Sequence, residues 1–210
     1  MARRLSEGFL SDLKDGFLLP LLERVKTDRS LCLEIRENYV NIYYRGGNLL
    51  KLGAAPAGYL AFFDPKYAKG DAGVLSNALP AAEVRSDADV GAWLAMIPTL
   101  KLAMDLFLGR HPKEEREAQQ LILRENNFGG TSRATDYFIC DIEYANPHGR
   151  FDLVAVHWPS DGAIRKKKDG RRLVLVEVKY GDVAIADHLV STPTSSTSTS
   201  SSVTPTTSGH

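Results

Sequence analysis

Cysteine is nearly absent from this 210-residue chain: there are two, Cys32 and Cys140, far apart and each within an apolar run. That excludes a disulfide framework and a cysteine-rich metal site, and leaves two buried free thiols as the expectation. Net charge is absent too, with 26 basic residues against 26 acidic ones. Bulk electrostatics therefore steer the chain toward neither nucleic acid nor a membrane, and any polyanion contact has to come from a local patch. No uninterrupted apolar run is long enough to span a bilayer. The best stretch, "GAWLAMIPTLKLAMDLFLG", is broken by Pro98, Lys101 and Asp105, so no membrane partner is expected. No signal peptide is evident, which makes the cytoplasm the expected compartment. His111, His148, His157, His188 and His210 show neither metal-ligand nor triad spacing. A phosphate-binding glycine loop and a nucleophile elbow are also missing.

What is present is an ordinary globular composition, 43% apolar and 25% charged. Leu5, Phe9, Leu13, Phe17, Leu21 and Val25 recur at steps of four and predict an amphipathic helix, kinked or divided at Pro20. Four extended runs follow, separated by "EN", "GG" and "AAPAG", and predict an antiparallel meander before an irregular stretch from about Lys66 to Ser86. Trp93, Ile97, Leu100, Met104 and Phe107 form a helical stripe. A further helix is predicted from Pro112 to about Asn126, with Glu114, Glu115 and Glu117 at its amino end. Three strands complete the pattern: "DYFICDIEYA", "RFDLVAVHW" and "RRLVLVEVKY". Asp169-Gly170 offers a hairpin turn before the last of them. The expected fold class is α+β, with a helix-and-meander lobe over 1–86 and a second segment over 87–188. The remainder, 189–210, is a Ser/Thr-rich run that lacks the apolar surface to order itself.

Chemistry concentrates in the last two strands. In "LVLVEVKYGD" the residues Glu177 and Lys179 are two apart and share one face, while Val174, Val176 and Val178 take the other. The strand reads as buried on both faces, where a charge needs a partner or a metal. Asp152, on the preceding strand, approaches Glu177 if the two strands pair near their polar ends. Carboxylates so placed repel each other, and a divalent cation such as Mg²⁺, which favours carboxylate and carbonyl oxygens, relieves that repulsion. The Val178 carbonyl is a third candidate ligand, and Lys179 is placed to hold an attacking water and to offset phosphate charge.

"RFDLVAVHW" followed by "LVLVEVKYGD", with the acidic helix "PKEEREAQQLILRENN" before them, resembles the PD-(D/E)XK nuclease superfamily. The resemblance spans about Lys113 to Asp182. It implies a restriction-endonuclease-like core and Mg²⁺- or Mn²⁺-dependent phosphodiester hydrolysis of nucleic acid, with DNA the expected substrate. It also implies Asp152, Glu177 and Lys179 as the site. A helix glutamate often completes that site. Glu115 is the first choice, with Gln119 one turn on along the same face, and Glu114 and Glu117 remain alternatives. Phe151 stands where the nominal motif has proline. After Lys179 the family continues with a helix and a strand, whereas only "YGDVAIADHLV" precedes the Ser/Thr run here. The expectation is a truncated or frameshifted carboxy terminus.

Plainer readings stand beside this one. Glu177 and Lys179 also suit a cross-strand ion pair, and the helix glutamates suit a solvated first turn. Glu143 has a surface placement as its default. "RKKKDGRR", with six basic residues between Arg165 and Arg172, is either a solvated hairpin tip or a phosphate contact. The rival function class is a non-catalytic, nuclease-like module that binds nucleic acid or protein.

Overall fold

The computed structural model describes residues 3–69, 75, 79–146, 149–167 and 171–180. These residues form an α+β structure of five α-helices and two antiparallel sheets, one of five strands and one of three. The chain divides into two compact units, Met1–Val178 and Lys179–His210. Of the second unit only Lys179 and Tyr180 are described. The Ser/Thr-rich run and the Asp169-Gly170 turn lie outside the described residues.

The first apolar stripe is two helices rather than one, α1 (Glu7–Lys14) and α2 (Leu19–Thr27). Pro20 sits in the first turn of α2, where the N–H that proline lacks is not needed. Strands β1 (Leu31–Ile35), β2 (Tyr39–Tyr44), β3 (Gly47–Ala55) and β4 (Gly58–Phe62) form the predicted meander. A fifth strand, β5 (Glu83–Val84), pairs with β4 inside the stretch that reads as irregular, because two residues carry no readable period. Between β2 and β3, Arg45 (φ 47°) and Gly46 (φ 68°) both have positive φ, as a two-residue type I′ turn requires.

Val40, Ile42, Leu50 and Leu52 alternate onto one face of this sheet and meet helix α3 (Asp87–Arg110) through Trp93, Ile97, Leu100 and Met104. Helix α3 is long and apolar enough, by length and composition, to cross a bilayer. Its stripe is buried in this core, and each large side chain so buried contributes about 1.5–3 kcal/mol. The division read at 86/87 thus falls inside one unit, since α3 shares its core with the meander.

The second half comprises α4 (Glu114–Phe128), β6 (Tyr137–Asn146), β7 (Gly149–His157), the short α5 (Gly162–Arg165) and β8 (Arg172–Val176), with sheet order β6-β7-β8. Pro112 precedes the capping residue Lys113 instead of lying in the first turn of α4. Leu123, Ile139, Ile142, Leu153, Ala155 and Val178 pack with Cys32 and Tyr43, from the back of the first sheet, into a second core. Gln120 ties α4 to that sheet. Its Oε1 accepts the Gly46 N–H at 2.6 Å, and its Nε2 donates to the Ser30 and Tyr43 carbonyls at 2.9 and 3.2 Å. A Cβ on Gly46 would come within 2.4 Å of the Arg116 backbone, so only glycine permits this approach.

Two expectations are corrected. Strand β8 is buried on one face, through Val174, Val176 and Val178, while Leu173 (68% exposed) and Leu175 (44%) project from an open outer face. Cys140 is exposed, because the β6–β7 register shifts between Ile139 and Asp141 and breaks the alternation that would turn it inward. Cys32 is buried as expected, and that burial pushes its thiol pKa up.

Candidate functional site

Strands β7 and β8 pair as Val156↔Leu173, Ala155↔Val174, Val154↔Leu175 and Leu153↔Val176. Paired residues point to one face of an antiparallel sheet. This pairing ends at Leu153↔Val176; Asp152 precedes Leu153 on β7, and Glu177 follows Val176 just past the end of β8. Beyond the paired residues the Val178 amide donates to the Asp152 side chain, at Oδ2, at 2.8 Å. Asp152 is half-buried and Glu177 exposed. The Val178 side chain turns the other way into the second core and is 8% exposed.

The β6 position across from Asp152 belongs to Glu143. Its φ of 52° breaks the strand alternation. Its carboxylate accepts from the Tyr43 hydroxyl at 3.3 Å and lies 3.4 Å from the Arg116 guanidinium and 3.5 Å from that of Arg150. Glu143 is therefore a half-buried tie between β6, β2 and α4, and the surface placement expected for it is corrected.

The helix acids separate from one another. Glu114 and Glu115 are exposed on the first turn of α4. Glu117 is committed to Arg45 at 2.8 Å, and Arg45 also reaches Asp105 at 2.9 Å. The positive-φ turn that presents Arg45 thus joins α4 to α3. Gln119 is buried at 3% exposure, so it and Glu115 differ in environment although they are one turn apart. The structure brings together Asp152 and the Val178 amide. It assigns Glu117 to Arg45. Lys179 opens the second unit.

Sequence reasoning missed a second polar constellation, at the seam of β1 and β6. Glu34 and Arg36 are 6% and 7% exposed. Arg36 donates to Asp141 at 2.7 Å and to the Ile142 carbonyl at 2.8 Å, and Arg3 also pairs with Asp141. Burial, and then the charge of Asp141 beside it, push the Glu34 carboxyl up to about 8, so it holds a proton and hydrogen bonds with Asp141. The one signal in the sequence was alternation: Glu34 and Arg36 share a face with buried Cys32.

Among the described residues no group of three or more His, Cys, Asp or Glu side chains is arranged to hold a metal ion. The candidate site is the Asp152 carboxylate bonded to the Val178 amide, with Glu177 the residue before that amide. No family model, curated protein or solved structure matches the chain.

Proposed function

We propose that this chain is a metal-dependent nuclease with a restriction-endonuclease-like core, hydrolysing phosphodiester bonds of nucleic acid, DNA foremost. The observation that supports the reading is the bond from the Val178 amide to the Asp152 carboxylate, which ties the segment just after Glu177 to β7. The donor set fits Mg²⁺ or Mn²⁺. Such an ion is held by one or two carboxylates, and water and substrate phosphate fill the remaining positions. Asp152, Glu177 and the Val178 carbonyl would hold it. When bound, the ion supplies an acidified water and charge stabilisation at the phosphoryl oxygens.

The chain's own groups do the rest. The Val178 amide holds Asp152 Oδ2 in place. Lys179, two residues after Glu177, is assigned to orient the attacking water and offset phosphate charge. Glu115, exposed on the first turn of α4, is assigned to complete the site, whereas Gln119 is buried away from solvent.

A second reading, a nuclease-like binding module without activity, is favoured by the open apolar face at Leu173 and Leu175. Incubating the full chain with supercoiled plasmid and with single-stranded DNA across a Mg²⁺ series separates the two. The nuclease reading expects metal-dependent cleavage that Asp152→Asn abolishes. Cleavage that persists in Asp152→Asn would overturn it, and a wild-type chain that binds without cutting would select the module.

A further inference from the structure

We infer that the β7–β8 end of the small sheet, opposite to the carboxylate pair, is a binding site for single-stranded nucleic acid. In this site phosphates contact Lys166, Lys167, Arg171 and Arg172, and an unpaired base stacks on Phe138 beside Trp158.

The first observation is electrostatic. Several arginines and lysines elsewhere among the described residues are paired: Arg36 with Asp141, Arg45 with Asp105 and Glu117, Lys101 with Asp28. Lys166, Lys167, Arg171 and Arg172 are exposed, and among the described residues they make no ion pair. In a chain whose 26 basic and 26 acidic residues cancel, four unneutralised cations flanking one connection form a local footprint for a polyanion.

The second observation is a prepared aromatic corner. The Trp158 indole donates to the Arg165 carbonyl at 3.0 Å. The guanidinium groups of Arg165 and Arg171 lie 4.9 and 5.2 Å from its ring centre. Phe138 stands edge-on to it at 6.2 Å and is 39% exposed. The register sets Phe138, Val156 and Leu173 in one row, and Leu173 is 68% exposed. An open ring next to phosphate-binding cations suits unpaired bases, whose faces are free to stack. A duplex hides those faces and offers only edges and phosphates.

The third observation is spacing. From His157 at this end to Asp152 is five residues of β7, about 17 Å in an extended strand. That is about five stacked nucleotides at 3.4 Å each. A strand anchored here reaches the carboxylate pair, but the binding site stands without the cleavage reading and is tested without it.

The test is fluorescence anisotropy of a labelled oligothymidine, about 15 nucleotides long, with the full chain in EDTA, so that no cleavage intervenes. The expected result is preference for the single strand over a duplex of equal length, with strong salt dependence. Replacing Lys166, Lys167, Arg171 and Arg172 together by alanine should reduce the slope of log affinity against log salt by about 3, four phosphates at roughly 0.7 each. Phe138→Ala should weaken binding about 5- to 150-fold, the range of one stacking contact, with the salt slope unchanged. Phe138→Tyr keeps the ring and should restore affinity, which guards against a folding defect. No binding, duplex bound as tightly as single strand, or binding of anionic phospholipid vesicles in place of the oligonucleotide would each overturn the inference.

Discussion

The Val178 amide donates to Asp152 Oδ2 at 2.8 Å, two residues beyond the last β8 pair, Leu153↔Val176, and so ties the chain after β8 back to β7. One carboxylate oxygen is thereby structural, and the charge is left for chemistry. Asparagine retains an acceptor for that amide and alanine does not. Asp152→Asn should therefore melt within about 2 °C of the wild type. Asp152→Ala should lose about 1–3 kcal/mol, the penalty for a partly buried amide left unpaired. At 2–4 °C per kcal/mol for a chain of this size, calorimetry resolves the two. Equal melting temperatures for the two variants would contradict the structural half of this assignment.

Gln120 should matter more to stability than the salt bridge one turn before it. Gln120→Ala strands the Gly46 amide and two carbonyls in a buried place, and about 1–3 kcal/mol or more is the expected loss. Glu117→Gln removes a charge from a pair that is 34% and 42% exposed. Exposed pairs contribute about 0–1 kcal/mol. Urea denaturation should rank Gln120→Ala as clearly the more destabilised, and the opposite ranking would remove Gln120 from its role as the α4 anchor.

Glu34 gives stability a pH dependence of definite sign. Its folded pKa is raised, to about 8, so its contribution is fully present below the ordinary carboxylate range and falls as pH rises toward 8. It faces Asp141 from β6, Arg36 just past the end of its own strand, and Arg3. Asp28 acts in the opposite sense and lower down. Its burial works to raise the pKa, but hydrogen bonds from Lys101 and Ser30 overcome that and hold it at about 2. The variant Glu34→Gln stays neutral at every pH. Relative to wild type it should gain stability steadily between pH 5 and pH 8. A flat difference across that interval would show that Glu34 ionises in the folded protein.

Much of this architecture was legible in the chain, for reasons of period. Trp93, Ile97, Leu100 and Met104 repeat at helical spacing and are the buried side of α3. The turns at "EN", "GG" and "AAPAG" divide β1 to β4 where the residues change character. Alternation set Asp152 on a face with Val154, and Glu177 on one with Leu173 and Leu175, the two acids meeting only if the strands paired; β7 and β8 do pair, with Val154 opposite Leu175, and that pairing ends at Val176. Long-range polar pairing was not legible. Nothing local in "SLCLEIREN" says that Glu34 will be buried against Asp141, since that depends on how β1 meets β6. The split between Glu115 and Gln119, and the diversion of Glu117 to Arg45, depend likewise on where the β2–β3 turn meets α4. Strand β8 misled because its valines and leucines look equally buried, and only the number of layers on the sheet decides which row stays open.

Lys179 should separate catalysis from structure. Lys179→Met keeps most of the stem and removes the charge. In the nuclease reading the cleavage rate falls by roughly 10²-fold or more, the scale of one well-placed electrostatic group, while Mg²⁺ affinity holds or rises. Single-turnover cleavage measures the first and a metal titration the second. A rate unchanged by Lys179→Met would remove the lysine from the proposed chemistry.

The most direct test of the central claim is a calorimetric titration of Mg²⁺ into the full chain and into Asp152→Asn and Glu177→Gln. If these two carboxylates share one ion, the wild type gives a saturable single-site isotherm, and each substitution alone weakens it about tenfold or more, because so few protein groups hold such an ion. A wild-type chain that shows no saturable binding, or a Glu177→Gln variant that binds Mg²⁺ as tightly as the wild type, would contradict it.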